Sequence, residues 1–180
     1  MIAPAEAVLA FWRGAGSDKW FKKDSAFDEE IRTRFLKTYE AAVRGELAAW
    51  ETAREGALAL VIVLDQFPRN MFRGSARAFE ADPLALAVAR RAIERGFDLQ
   101  LPVQERSFFY LPFEHSEAMA DQERCCELFR STGDAELLKW AELHTDIIRR
   151  FGRFPHRNVV LGRVTTPEEQ AFLDSGGFAG

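Results

Sequence analysis

The chain has 180 residues, with 24 basic and 28 acidic side chains, a net charge of −4, and 47% hydrophobic residues. Such a composition excludes a disordered tail. The longest apolar run, Ala57 to Leu64, falls far short of the roughly 20 residues a membrane-spanning helix needs.

Residues 1–14 carry Glu6 and lack the basic start of a secretory signal. Asp24 to Val43 reads as a long helix, with Phe27, Ile31, Phe35 and Tyr39 on one face and Gly45 after its end. Arg54 to about Leu64 is apolar on most sides and is predicted to be a central helix. Asp82-Pro83 reads as a cap and first-turn proline, and Gly96 stops that helix. Ser116 is a candidate cap for a helix to about Ser131, and Asp134 for one to Phe151. Thr166-Pro167-Glu168-Glu169 opens a last short helix. Cys125 and Cys126 are adjacent on the Ser116 helix. Neighbouring Cα atoms lie about 3.8 Å apart, whereas disulfides want roughly 4.4 Å or more. They read as two buried structural thiols in a reducing compartment, so the expected address is the cytoplasm.

Short connections and the lack of any linker predict an all-α chain, one domain over residues 1–180, with successive helices packed as antiparallel hairpins. The stacking suggests a tetratricopeptide-like array, although that repeat's own signature is missing at its period of about 34 residues. A different self-similarity is present. Phe67-Pro68-Arg69-Asn70, then Gly74, then Asp82-Pro83 is echoed by Phe154-Pro155-His156-Arg157-Asn158, then Gly162, then Thr166-Pro167. Proline after phenylalanine bars simple continuation of a helix, so each copy is predicted to mark a sharp exit.

Both copies lie in basic segments of an acidic protein. Residues 66–79 hold three arginines and no acid, and residues 147–167 hold five and no acid. Guanidinium forks grip planar anions with two parallel hydrogen bonds, so these segments are candidate sites for phosphate or carboxylate. The competing explanation is pairing with carboxylates elsewhere, such as Asp65 or Glu114. His144 lies on an apolar stripe with Leu137, Ala141, Ile148 and Phe151, where a hydrogen-bonded core histidine is the ordinary case. Leu111-Pro112-Phe113-Glu114-His115-Ser116 reads as a third proline-aromatic break, with Glu114 and His115 capping the next helix. His156 is the histidine that packing explains least. Metal-ligand spacings, Gly-rich phosphate loops and nucleophile elbows are missing, so no metal or cofactor is expected.

Several of these stretches together resemble the bacterial family catalogued as domain of unknown function 924. They are Trp20-Phe21 with Phe27-Asp28; Leu64-Asp65-Gln66-Phe67-Pro68-Arg69-Asn70; Phe79 with Asp82-Pro83-Leu84-Ala85; Tyr110 to Glu117; and Phe151 to Asn158 with Leu161-Gly162-Arg163. The resemblance implies a tetratricopeptide-like all-α fold and implies no activity. Met71-Phe72 departs from the isoleucine-like residue and aromatic expected after Asn70, a packing change that touches nothing polar.

Three functions compete. In the first, Arg69, Asn70, His115, Arg153, Arg157, Asn158 and Arg163 hold a small anion; His156 or His144 moves a proton, and Asp65 or Glu114 orients a histidine. The two motif turns are then expected to face each other across one pocket. In the second, the chain is a helical scaffold for a protein or peptide partner. The third is RNA binding through Arg149 to Arg163, which the net charge disfavours.

Overall fold

The computed structural model describes residues 1–178, which are helical with no strand among them. The all-α expectation holds. No helix among the described residues is long and apolar enough to cross a membrane. The residues pack as two compact units, one made of Met1–Arg73 and Arg77–Pro112, the other of Gly74–Ala76 and the chain from Phe113.

The first unit begins with α1 (Ala5–Ala15), which had no expectation attached to it, and the single turn α2 (Ser17–Trp20). Asp24 caps α3 (Ser25–Val43) by accepting from the backbone N–H groups of Ala26 and Phe27. The predicted stripe of Phe27, Ile31, Phe35 and Tyr39 is buried. α4 (Arg54–Val61) is buried continuously from Gly56 to Val61, as its all-round apolar sequence requires. Gly56 is needed there, because a Cβ would run into the Trp50 carbonyl of the preceding 3-10 turn. The interior is aromatic: Phe67 lies 4.9 Å from Phe35 and 5.7 Å from Trp12, ring centre to ring centre, and Trp12 is 5.6 Å from Phe108. Such tilted and edge-on pairs add a few tenths to about 1.5 kcal/mol each beyond their area.

The expected exit at Phe67-Pro68 does not occur. A π-helical turn, Ile62–Gln66, widens the backbone so that the Phe67 N–H reaches the Ile62 carbonyl. The chain re-enters helix as α5 (Phe67–Met71), with Pro68 in its first turn, where a missing N–H costs little. Arg69 and Asn70 therefore stand on a helix. In α6 (Asp82–Glu94), Asp82 is the first helical residue and Ala81 holds the cap position, while the Asp82 carboxylate accepts the Arg69 fork. α7 (Val103–Glu114) carries Pro112 in its interior, so the predicted third break is absent and Glu114 ends this helix instead of capping the next.

In the second unit α8 (Met119–Thr132) and α9 (Ala135–Phe151) pack on each other. Ser116 lies outside α8, where it accepts from the Ala118 N–H and donates to Asp121. Asp134 caps α9 as expected, accepting from Glu136 and Leu137. Gly152, at φ 69°, closes α9 in the left-handed conformation that favours glycine, so the second motif does leave its helix. It forms a 3-10 turn, Pro155–Arg157, with Phe154 buried against Ile147 and Ile148. α10 (Pro167–Asp174) starts with a capping box between Thr166 and Glu169.

Cys125 and Cys126 are free and buried on α8, and the Cys126 sulfur lies 3.2 Å from the Thr145 hydroxyl of α9. Burial pushes the Cys125 thiol up, away from the reactive thiolate. Replacing both by alanine is expected to cost about 1 to 3 kcal/mol and to leave ligand binding intact. Denaturant melts and binding titrations of the double variant check this; lost binding in a folded variant would bring the thiols into the mechanism.

Candidate functional site

The first motif is a closed ionic network. Nη1 and Nη2 of Arg69 donate to the two carboxylate oxygens of Asp82 at 2.9 and 3.0 Å, a bidentate fork. Nη1 also donates to the Asp65 carbonyl at 2.7 Å and lies 3.5 Å from its carboxylate. Asp65 is wholly buried and accepts from the Gln66 amide at 2.6 Å. Burial lowers the Arg69 pKa, and the Asp65 and Asp82 carboxylates more than reverse this, so the net direction is up. Asn70 donates to Asp28 at 2.8 Å, and Arg73 grips the same carboxylate at 2.9 and 3.0 Å.

The second motif repeats the logic with different residues. Arg153 forks onto Glu169 at 2.6 and 2.8 Å, and the Asn158 amide donates to Glu169 at 3.0 Å. As Arg69 ties its segment to the first residue of α6, Arg153 ties the second to the first turn of α10. Arg163 forks onto Glu117 at 2.7 and 3.0 Å, and Glu117 accepts from the Phe154 N–H at 2.8 Å. An open cleft of about 490 Å³ lies beside the Arg153–Glu169 pair, lined also by Arg150, Phe151, Thr166 and Glu168.

A third group gathers around Phe154. Arg157, only 6% exposed, donates from Nη1 to the His115 carbonyl at 3.0 Å, with its guanidinium 4.4 Å from the Phe154 ring centre. His144 and Glu114 are equally buried. His144 Nδ1 lies 2.8 Å from the Trp140 carbonyl and 3.6 Å from Glu114 Oε1. A carbonyl only accepts, so Nδ1 carries the proton and Nε2 of the neutral ring is an acceptor. Burial lowers the His144 pKa, the Trp140 bond opposes it, and the charges of His115 and Arg157 add to the fall, to about 4. Rings of both His144 and His156 pack on Phe154 and Phe178, at 5.6 and 4.5 Å for His144 and 5.7 and 5.3 Å for His156.

The second unit thus brings together Glu114, His115, His144, His156 and Arg157, residues from three separate stretches of chain. Asp65, Arg69 and Asn70 belong to the first unit. Sequence reasoning missed the acids that answer the arginines: Asp28, Asp82, Glu117 and Glu169. Only Glu169 carried a local signal, as the third residue after Thr166 in a capping pattern.

A model of the family described as bacterial protein of unknown function (DUF924) matches residues 8–177. The chain belongs to the DUF924 family. A solved structure is similar to this DUF924 protein, that of a protein of unknown function, ATU0120, from Agrobacterium tumefaciens. The two share 49% sequence identity and a TM-score of 0.93, over 96% of this chain and 97% of the other. No curated protein matches the DUF924 chain.

Proposed function

We propose that the protein binds a small anion, phosphate or carboxylate, in the second unit. Arg157 supplies the charge and His144 accepts a hydrogen bond; Glu114 stands beside His144, and His115 and His156 border the site. The observation that supports this reading is the convergence of a buried guanidinium, a buried carboxylate and a histidine held neutral. Buried, mutually perturbing titratable groups mark ligand sites more often than a random set of residues does. Stability alone is as well served by apolar residues of the same volume.

The paired arginines take a supporting part in this reading. Arg69, Arg73, Arg153 and Arg163 spend their forks on Asp82, Asp28, Glu169 and Glu117, and so hold the two motifs in place. With a pKa near 4, His144 is a weak base at neutral pH, where an efficient general base sits near 7. It suits recognition better than proton abstraction. Any reaction at this site would draw on His156 or Glu114.

A ligand that binds only the folded protein raises its melting temperature with concentration. A melting screen over phosphates and metabolite carboxylates is expected to find such an anion. Arg157→Ala should abolish the shift. Arg69→Ala should lower the starting temperature yet keep the shift; if it loses the shift while folded, both motif turns face the ligand. No stabilising anion, or an undiminished shift in Arg157→Ala, would overturn the reading and leave a helical scaffold for a protein or peptide partner as the better one.

A further inference from the structure

We infer that the turn at residues 17–23 docks the protein reversibly on an anionic lipid surface, with Phe21 entering the bilayer interface and Lys19, Lys22 and Lys23 facing the headgroups. This surface belongs to the first unit and does not rest on the anion reading above.

The turn follows α1 and is held in place by Trp20, the last residue of α2. The Trp20 Nε1–H donates to the Trp12 carbonyl at 2.7 Å. Its ring stacks on Trp12 at 5.9 Å and meets Phe108 edge-on at 5.0 Å. Phe21, the next residue, is 67% exposed, the most exposed aromatic side chain among the described residues. Its ring contacts, with Trp20 at 6.5 Å and Phe108 at 6.4 Å, leave most of it in water. Taking the rest of such a ring out of water strengthens association about tenfold.

Charge decides what covers this ring. The chain has five lysines, and three of them are Lys19, Lys22 and Lys23, all exposed. Among the described residues none of the three pairs with a carboxylate, and Lys19 Nζ lies 5.6 Å from the Phe27 ring centre. The arginines of the two motifs, by contrast, fork onto acids. Asp18 is the only acid from 17 to 23, so three lysines less one aspartate leave +2 in a protein of net charge −4. The partner is therefore anionic and presents an apolar phase beside its charge. An anionic bilayer does both. Ammonium groups on flexible stems suit diffuse headgroup charge, whereas one defined planar anion favours an arginine fork. Nucleic acid is the lesser fit, because strand binding stacks successive bases on several aromatic side chains and here one stands exposed. Acids more than about 8 Å from the bilayer are largely screened at physiological ionic strength, so the charge of the turn governs approach. Each lysine beside an anionic bilayer strengthens binding about fivefold, and a surplus of two gives about twentyfold. An apolar anchor and a basic cluster together make a reversible membrane contact.

The test is sedimentation of the full chain with vesicles of phosphatidylcholine alone, and of phosphatidylcholine with about one third phosphatidylglycerol. The anionic vesicles should bind the wild type about twentyfold more tightly, and about 1 M salt should remove that preference. The double variant Lys22→Ala, Lys23→Ala should reduce the preference to about twofold or less. Phe21→Ala should weaken binding to the anionic vesicles about tenfold. Phe21→Leu should restore most of that loss, since a lipid phase accepts either apolar side chain. Melting curves check that each variant is folded. Equal binding to the two vesicle types, or folded Phe21→Ala and double-lysine variants that bind as the wild type does, would overturn the inference. A polythymidine oligonucleotide that binds where the anionic vesicles do not, and that Phe21→Leu no longer holds, would assign the turn to nucleic acid and overturn it too. The anion site of the second unit stands or falls separately.

Discussion

Replacing Arg69 with alanine is expected to destabilise the protein by about 3 kcal/mol. The guanidinium forks onto Asp82 and lies 3.5 Å from the wholly buried carboxylate of Asp65. Removing it takes away the guanidinium that lies 3.5 Å from the buried Asp65 carboxylate and the fork that holds Asp82. Breaking a buried pair in this way costs about 3 to 5 kcal/mol, and the low end applies because Arg69 retains some exposure. For a domain of this size that corresponds to a fall of about 6 to 12 °C in melting temperature. Arg69→Lys keeps the charge and loses the planar fork, so an intermediate loss is expected. Arg124, paired with Glu127 on the exposed face of α8, supplies the contrast. Arg124→Ala should change stability by no more than about 0.5 kcal/mol. Chemical denaturation of the three variants checks the series. Similar losses for Arg69→Ala and Arg124→Ala would show that the first motif is not an internal lock.

Glu169→Ala is expected to cost about as much, for a different reason. This buried carboxylate accepts from the Arg153 fork, the Asn158 amide and the Thr166 N–H at the start of α10. Its loss removes a helix cap, worth about 1 kcal/mol, and leaves donors around a buried position unsatisfied at about 1 kcal/mol or more each. Glu169→Gln retains the shape and the capping pattern and should lose less. Acid separates charge from shape. The Arg153 fork holds the Glu169 pKa down at about 2, against opposition from burial. An unfolded glutamate titrates near 4.3. A depressed folded value means the charge stabilises the protein above the unfolded pKa, and that this contribution fades as pH falls from about 5 towards 2. The stability gap between wild type and Glu169→Gln should therefore shrink through that window. A gap independent of pH would mean that the charge of Glu169 contributes nothing.

What was legible in the sequence was what is decided locally. Asp24, Asp134 and Thr166 cap their helices because a capping side chain reaches only two or three residues along its own chain. The Phe27, Ile31, Phe35 and Tyr39 stripe is buried because spacing alone puts those residues on one face. Features that depend on contact between distant segments were not legible. Asp82 has the residue type and position of a cap, yet its carboxylate is taken by an arginine on another helix. Pro68 should have ended a helix, and a π-helical turn absorbs it instead. Pro112 sits inside α7, so the predicted break before His115 is a helix end after Glu114. The arginine-rich segments look uncompensated in the sequence only because their acids lie elsewhere in the chain. In the site, no spacing rule brings Glu114 to His144 or the His115 carbonyl to Arg157; the packing of α8, α9 and the turn after Phe154 does.

The anion site is tested most directly by a crystal structure of the protein grown with arsenate, a phosphate analogue whose anomalous scattering marks its position. The account predicts one arsenate in the second unit, with an oxygen within hydrogen-bond distance of the Arg157 guanidinium. Arsenate bound only on the exposed surface, with Arg157, Glu114 and His144 closed on one another, would contradict it.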